Sequence, residues 1–335
     1  MIEITRPLMT LLDEFGEPVE GVSKSASEVE AMERASRLPD GTYYLERPSA
    51  KIVVDRAATD TDTGADAGPE PEPEPSGNAV ILLRDDFTGG KSDAWSQQPS
   101  NAQVPETGII DTPPGETGDW FRLRTRKEDW PPAVEGATHP RAQIADYEHL
   151  IEQGTHYWIG FDLFLELAWQ NETRKGAGCQ IWQVHGLNAI NNVSHLCGQF
   201  EANVFQCLNR EGKFGALNND VLREVPWDSP LIPKGRKFKH VLHLCMSYEG
   251  DGIIEYWIDD VLFARKTGPN MWYGLNDAPK SKSDLMAFVL MLYKPKIDED
   301  STAATEHTAW FDKFTMARVP SDEDGYSVVD PDLFQ

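Results

Sequence analysis

A chain of 335 residues with 40% hydrophobic content can bury one large core and still leave a small second unit. No run approaches the roughly 18 apolar residues of a membrane span. A formal charge of −24 argues against a nucleic-acid partner, because phosphate binding needs clustered Lys and Arg.

Met1 to Leu12 lacks the basic start and apolar block of a secretory signal peptide, so synthesis and assembly in the cytoplasm are expected. Residues 1–56 then read as a small α+β unit. Ser27 followed by Glu30 is a capping box that opens a helix. Pro39-Asp40-Gly41 ends it, and Thr42 to Glu46 and Lys51 to Val54 have strand composition around Arg47-Pro48-Ser49. No catalytic constellation is visible in this unit. Residues 57–78 contain no large apolar residue and include a Pro-Glu repeat. They predict an acidic, semi-rigid linker stretched by polyproline geometry and charge repulsion.

From residue 79 to 335 strand signals dominate. In Tyr157 to Leu165 every odd position is apolar, the mark of a strand with one face on a core. Similar runs occur at 79–83, 120–124, 239–246, 253–259, 286–293 and 308–316, separated by loops rich in Gly, Pro, Asn and Asp. Long helical periodicity is missing. The pattern predicts a mainly β protein: a two-sheet antiparallel sandwich, or jelly roll, preceded by the small α+β domain.

The stretch Gln180-Ile181-Trp182-Gln183-Val184-His185-Gly186 predicts a strand that places Gln183 and His185 on one face, roughly 6 to 7 Å apart. Trp182 points to the other face, as core. The four cysteines, Cys179, Cys197, Cys207 and Cys245, show no CxxC spacing, which favours buried free thiols. His195 with Cys197 and His243 with Cys245 have a spacing compatible with zinc ligation, to be weighed against plain core cysteines. Arg122, Arg124, Arg126, Lys127 and Arg141 form the one basic cluster, and a solvated strand face accounts for the first four equally well. Asn171-Glu172-Thr173 and Asn192-Val193-Ser194 are glycosylation sequons by letter only.

Asp85-Asp86-Phe87, His139-Pro140-Arg141-Ala142-Gln143-Ile144, Gln183-Val184-His185, Tyr256-Trp257-Ile258-Asp259-Asp260 and Trp310-Phe311-Asp312-Lys313-Phe314 follow one another in the order seen in jelly-roll polysaccharide lyases. Over residues 79 to 320 the chain resembles the heparin-lyase and glucuronan-lyase group, with kinship to alginate-lyase jelly rolls. The resemblance implies a concanavalin-like sandwich and β-elimination at a uronic acid within an acidic polysaccharide. Under it, Arg141 and Gln183 would hold the uronate carboxylate. His185 would be the base or support it, and Tyr293 would donate or relay a proton, with Tyr273 or Tyr256 as stand-ins. Gln143 and Lys294 would contact substrate. Trp130, Trp227, Trp272 and Tyr273, in loop-like segments, are candidate sugar-stacking platforms or core caps.

The resemblance requires no cofactor, but folds of this kind often hold a structural calcium; Asp86 and Asp312, acids near the two chain ends of the sandwich, are the candidate ligands, with solvated acids as the alternative. Two departures from the group stand out. The Arg-x-Glu strand of many relatives is Arg141-Ala142-Gln143 here, and Leu292-Tyr293-Lys294-Pro295 lacks the second Tyr of the alginate-lyase relatives.

The N-terminal pattern also resembles attachment modules of phage virion proteins, which implies a virion location and a virion or surface-protein partner for residues 1–56, with homo-oligomerisation open. Three readings follow: a virion-associated depolymerase, a non-catalytic glycan-binding adhesin or decoration protein, and a purely structural virion protein.

Overall fold

The computed structural model describes residues 78–97, 109–126, 141–170, 178–187, 194–213, 218–227, 229–273, 285–293, 306–321 and 323–334, with backbone alone at 11–12, 41–45, 51–54, 97, 212–213, 218 and 273. The chain divides into two units, Met1–Pro73 and Glu74–Gln335. In the first, β1 (Leu11–Leu12), β2 (Gly41–Leu45) and β3 (Lys51–Val54) pair antiparallel in that order. The helix expected after Ser27 and nearly all of the acidic linker lie outside the described residues.

The second unit runs β4 (Val80–Asp85), β5 (Trp95–Gln97), β6 (Ile109–Asp111), β7 (Trp120–Arg126), β8 (Arg141–Glu152), β9 (His156–Leu165), β10 (Cys179–Gly186), β11 (Ser194–Glu201), β12 (Val204–Lys213), β13 (Asn218–Pro226), β14 (Lys237–Cys245), β15 (Ile253–Ile258), β16 (Val261–Thr267), β17 (Trp272–Tyr273), β18 (Leu285–Tyr293) and β19 (Glu306–Arg318). A single helical turn, α1 (Tyr326–Val329), and a tighter turn at Pro331–Leu333 follow. Among the described residues no helix is long and apolar enough to cross a membrane.

The strands make two sheets, β13-β12-β11-β10-β18-β8-β5 and β16-β15-β14-β9-β19-β7-β6, with β17 added to β12 and β4 to β19. Pairing is antiparallel except for the short β12–β17 contact. The unit is a mainly β jelly-roll sandwich.

The alternation of β9 explains the packing. Tyr157, Ile159, Phe161, Leu163 and Leu165 point between the sheets, where Phe161 of one sheet meets Phe288 of the other at 6.1 Å between ring centroids. Trp182 stacks on Phe288 and meets Tyr256 edge-on. Each such large apolar side chain stabilises the fold by roughly 1.5–3 kcal/mol when fully buried.

The two outer faces differ. On the second sheet, even-numbered residues of β9 are also covered: Trp158 packs with Val241, Val328 and Val329, and Phe164 with Trp120 and Trp310. Lys239 Nζ ties down the C-terminal segment through Asp330 and Asp332, both at 2.9 Å. Much of that face is covered by the protein itself, leaving a depression of about 230 Å3 beside Asp162, Lys237 and Lys239. The outer face of the first sheet instead carries Gln143, Gln180, Gln183, Gln199 and Gln206 and two depressions in its surface.

Candidate functional site

Strand β18 lies between β8 and β10, and this order, invisible in the sequence, brings the separated motifs together. Tyr293 is the register partner of Arg141 on one side and of Gln180 on the other. Val289 partners Gln183, and Ala287 partners His185. Because Ala287 and Val289 are short, they leave room above β18 between the polar side chains of its neighbours. The result is a depression of about 350 Å3 lined by Arg141, Gln143, Tyr147, Gln183 and His185 over that apolar floor. A second depression, about 690 Å3, has Gln180, Gln199, Gln206, Arg210 and Tyr293 in its lining. The Arg141 guanidinium, in the lining of the first, lies over the ring of Tyr293, in the lining of the second, 5.0 Å from its centroid.

A β-bulge in β10 is part of this arrangement. Register shifts between Gln180 and Trp182, so both Ile181 and Trp182 enter the core. Gln180 and Gln183 consequently share the outer face, which strict alternation would have forbidden.

Electrostatics set the protonation states. Burial is the main cause holding His185 below the ordinary imidazole value of 6.5, with the Arg141 and Arg210 cations acting in the same direction; the Gly186 backbone opposes them. His185 is therefore a neutral base at neutral pH. Burial pushes the Tyr293 phenol above 10.0 against the pull of the same two arginines, so its proton is retained. Tyr147 is likewise raised, by burial. The neutral imidazole and the guanidinium line the smaller depression, and the protonated Tyr293 phenol, in the lining of the larger one, lies under that guanidinium; together these groups can bind a carboxylate, remove a proton and supply one.

Arg210, on β12, was not among the residues singled out from sequence. It lines the larger depression, donates to the Ser194 carbonyl at 3.5 Å, and acts electrostatically on His185 and Tyr293. A lone Arg inside an unassigned strand gives no local signal; only the placement of β12 two strands from β10 does.

Other sequence expectations are redistributed. Arg122 and Arg124 belong to β7 of the second sheet, where they pair with Asp111 and Glu306, so the basic cluster does not converge on Arg141. Trp272, expected as a stacking platform in a loop, is 6% exposed in β17, where its backbone N–H donates to His195 Nδ1 at 3.0 Å. Trp227 caps the core, edge-on to Phe200 at 5.4 Å, with Lys234 Nζ over its ring. Tyr256 is sealed in the core, hydrogen bonded to His240 Nδ1 at 2.5 Å, and cannot stand in for Tyr293. Trp130, Lys294 and the Tyr273 side chain lie outside the described residues.

Asp86 accepts from the Thr88 N–H. Asp312 is on the second sheet as the register partner of Asp162, across the sandwich from His185. His195 is wholly buried and held neutral, its pKa lowered by burial to about 3, and His243 is held between Glu255 at 2.8 Å and His156 at 2.9 Å. All four cysteines are free and buried. Among the described residues, no group of three or more His, Cys, Asp or Glu is placed to hold a metal ion.

No protein-family model matches the chain, and no curated protein does either. Solved structures do. An endo-β-1,4-glucuronan lyase from the fungus Trichoderma reesei aligns over 76% of this chain and 99% of its own, with 14% identity and a TM-score of 0.54. An exolytic PL7 alginate lyase from Zobellia galactanivorans aligns over 72% of this chain and 96% of its own, with 10% identity and a TM-score of 0.46. The match to the glucuronan lyase shows that the sandwich has the fold of a jelly-roll polysaccharide lyase.

Proposed function

We propose that residues 79–335 cleave a uronate-containing polysaccharide by β-elimination. The observation that carries this reading is the convergence of Arg141, Gln183 and His185 on one open depression, with Tyr293 beneath the Arg141 guanidinium. Fold likeness alone would not establish the chemistry.

The Arg141 fork and the Gln183 amide hold the uronate carboxylate and stabilise the negative charge that spreads onto it as the C5 proton leaves. Neutral His185 takes that proton. Tyr293 gives its proton to the departing O4 oxygen as the C4–O4 bond breaks and a C4=C5 double bond forms. The phenolate then regains a proton from solvent, with Arg141 and Arg210 stabilising it meanwhile. No metal is needed for any of these steps.

The acidic, proline-rich composition of the linker supports a role for residues 1–56 as an attachment module on a virion or other surface. A second reading, a glycan binder without turnover, is favoured by Gln143, an uncharged amide in place of the glutamate expected from the resemblance. One assay separates the two: the full chain is incubated with a panel of uronate polymers, and the ultraviolet absorbance of the new unsaturated uronate is followed. Product that disappears in His185→Ala and Gln183→Ala supports the lyase. Binding with no product in any polymer would leave only the passive binder.

A further inference from the structure

One row of register partners crosses six strands of the first sheet: Arg141 on β8, Tyr293 on β18, Gln180 on β10, Gln199 on β11, Gln206 on β12 and Glu224 on β13. Its five inter-strand steps cover about 24 Å. The row starts in the smaller depression, at the guanidinium assigned to the uronate carboxylate, and runs through the larger one to the edge strand of the sheet.

Its character changes along the way. At the Arg141 end no carboxylate is found among the described residues that line the depression. Further on, three amides stand side by side, each under 10% exposed although nothing apolar requires them there. Gln180 Nε2 donates to Gln199 Oε1 at 3.4 Å. Gln199 and Gln206 both donate to Glu201 Oε2, at 2.8 and 3.2 Å. This locks the Glu201 carboxylate into the lining, and Glu224 adds a second. Arg210, the cation of this depression, exerts its effect on His185 and Tyr293.

An anionic sugar placed over Gln199 and Gln206 would face two carboxylates at close range, a like-charge juxtaposition that discriminates strongly against it. An uncharged sugar meets the reverse situation. Its hydroxyls donate to Glu201, Glu224 and the amide oxygens, and accept from amide N–H groups, all at fixed positions. The volume, about 690 Å3, lies within the roughly 300–1,000 Å3 of small-molecule sites. The chain's net charge of −24 acts in the same sense, since a polymer with fewer carboxylates per unit length is repelled less.

Resting on the lyase reading above, we infer that the substrate is a heteropolysaccharide in which the uronate is flanked by a neutral, hydroxyl-rich sugar seated on the Gln180-Gln199-Gln206 ladder, and that Glu201 and Glu224 select against contiguous uronates.

The test compares an alternating uronate–neutral hexose polymer with a homopolyuronate, using the full chain. Wild type is expected to favour the alternating polymer in kcat/KM by about tenfold or more. Glu224→Gln, at an exposed edge position that leaves folding intact, and Glu201→Gln, which keeps the acceptor oxygen, are expected to shrink that preference by raising turnover of the homopolyuronate. Gln206→Ala is expected to raise KM for the alternating polymer alone. Equal or better cleavage of the homopolyuronate by wild type, unchanged in Glu224→Gln, would overturn the inference and leave the lyase reading standing. If no polymer is cleaved, calorimetric binding of the same two polymers decides: preferential binding of the alternating polymer, weakened by Gln206→Ala, supports the subsite without the chemistry, and no preference overturns it.

Discussion

Arg141 and Tyr293 are cross-strand partners at the first residue of β8 and the last of β18, and the guanidinium sits over the phenol ring. One cation would thereby serve two tasks in the proposed reaction: it faces the depression that would hold the uronate, and it would stabilise the phenolate left when Tyr293 gives up its proton. A lysine reproduces the charge but neither the planar fork nor the stacking.

Arg141→Ala and Arg141→Lys should therefore both lower kcat/KM, by about 10²–10³-fold for the alanine, with a smaller loss for the lysine. Thermal stability should change little, since Arg141 is half-exposed at a strand start. Steady-state kinetics beside a melting curve checks this. A lysine variant with full activity would mean that charge alone is required.

The pH profile should be broad. The proposed reaction needs neutral His185 and protonated Tyr293, so the acid limb of kcat/KM should fall below 6.5 and the alkaline limb above 10.0. Among the described residues, the charged and titratable groups around His185 include Arg141, Arg210, Tyr147 and the neutral His195. Removing a cation makes imidazolium easier to form and phenolate harder. Arg210→Gln should accordingly move both limbs upward. Limbs that stay in place would remove Arg210 from the electrostatics of the site.

Asp162 and Asp312 give stability an opposite pH dependence. Burial is the main cause raising Asp162 to about 6 and Asp312 to about 7, against the attraction of Lys237 and Lys313. Asp332 raises the first further, and each of Asp162 and Asp86 the second. The folded state then binds more protons than the unfolded one between pH 3.8 and about 7, so their stabilising contribution is complete below 3.8 and is lost as pH rises through the folded values. Asp312→Asn should raise Tm at pH 8 and leave it nearly unchanged at pH 4. A scan showing no gain at pH 8 would refute the strained carboxylate pair.

Gly198 supports the site from the core side. It is the register partner of Trp182, and a Cβ there would come within 2.5 Å of the indole Nε1. Trp182 is fully buried and cannot yield. Gly198→Ala should cost about 1–3 kcal/mol through overpacking. Urea unfolding should show a lower midpoint at unchanged slope, and an unaltered midpoint would show that Trp182 has slack.

Much of the architecture was legible from local pattern. The odd-position alternation of 157–165 marks β9, and the runs at 120–124, 239–246, 253–259, 286–293 and 308–316 correspond to β7, β14, β15, β18 and β19. Gln183 and His185 share a face because their two-residue spacing requires it. Trp272 was read as a loop aromatic because β17 is two residues long and has too little flanking pattern to reveal its burial, whereas Trp227 does follow the end of β13 and takes the core-capping alternative.

Thus the sequence by itself determined the fold class, the strongly alternating strands and the Gln183–His185 pair, all consequences of side-chain periodicity along one strand. Tertiary structure alone decided that β18 separates β8 from β10, that a bulge turns Gln180 to the side of Gln183, and that Gln199, Gln206 and Arg210 join them. The physical reason is that the order and register of strands depend on how whole faces pack and on hydrogen bonds between distant segments. No local window of sequence contains either.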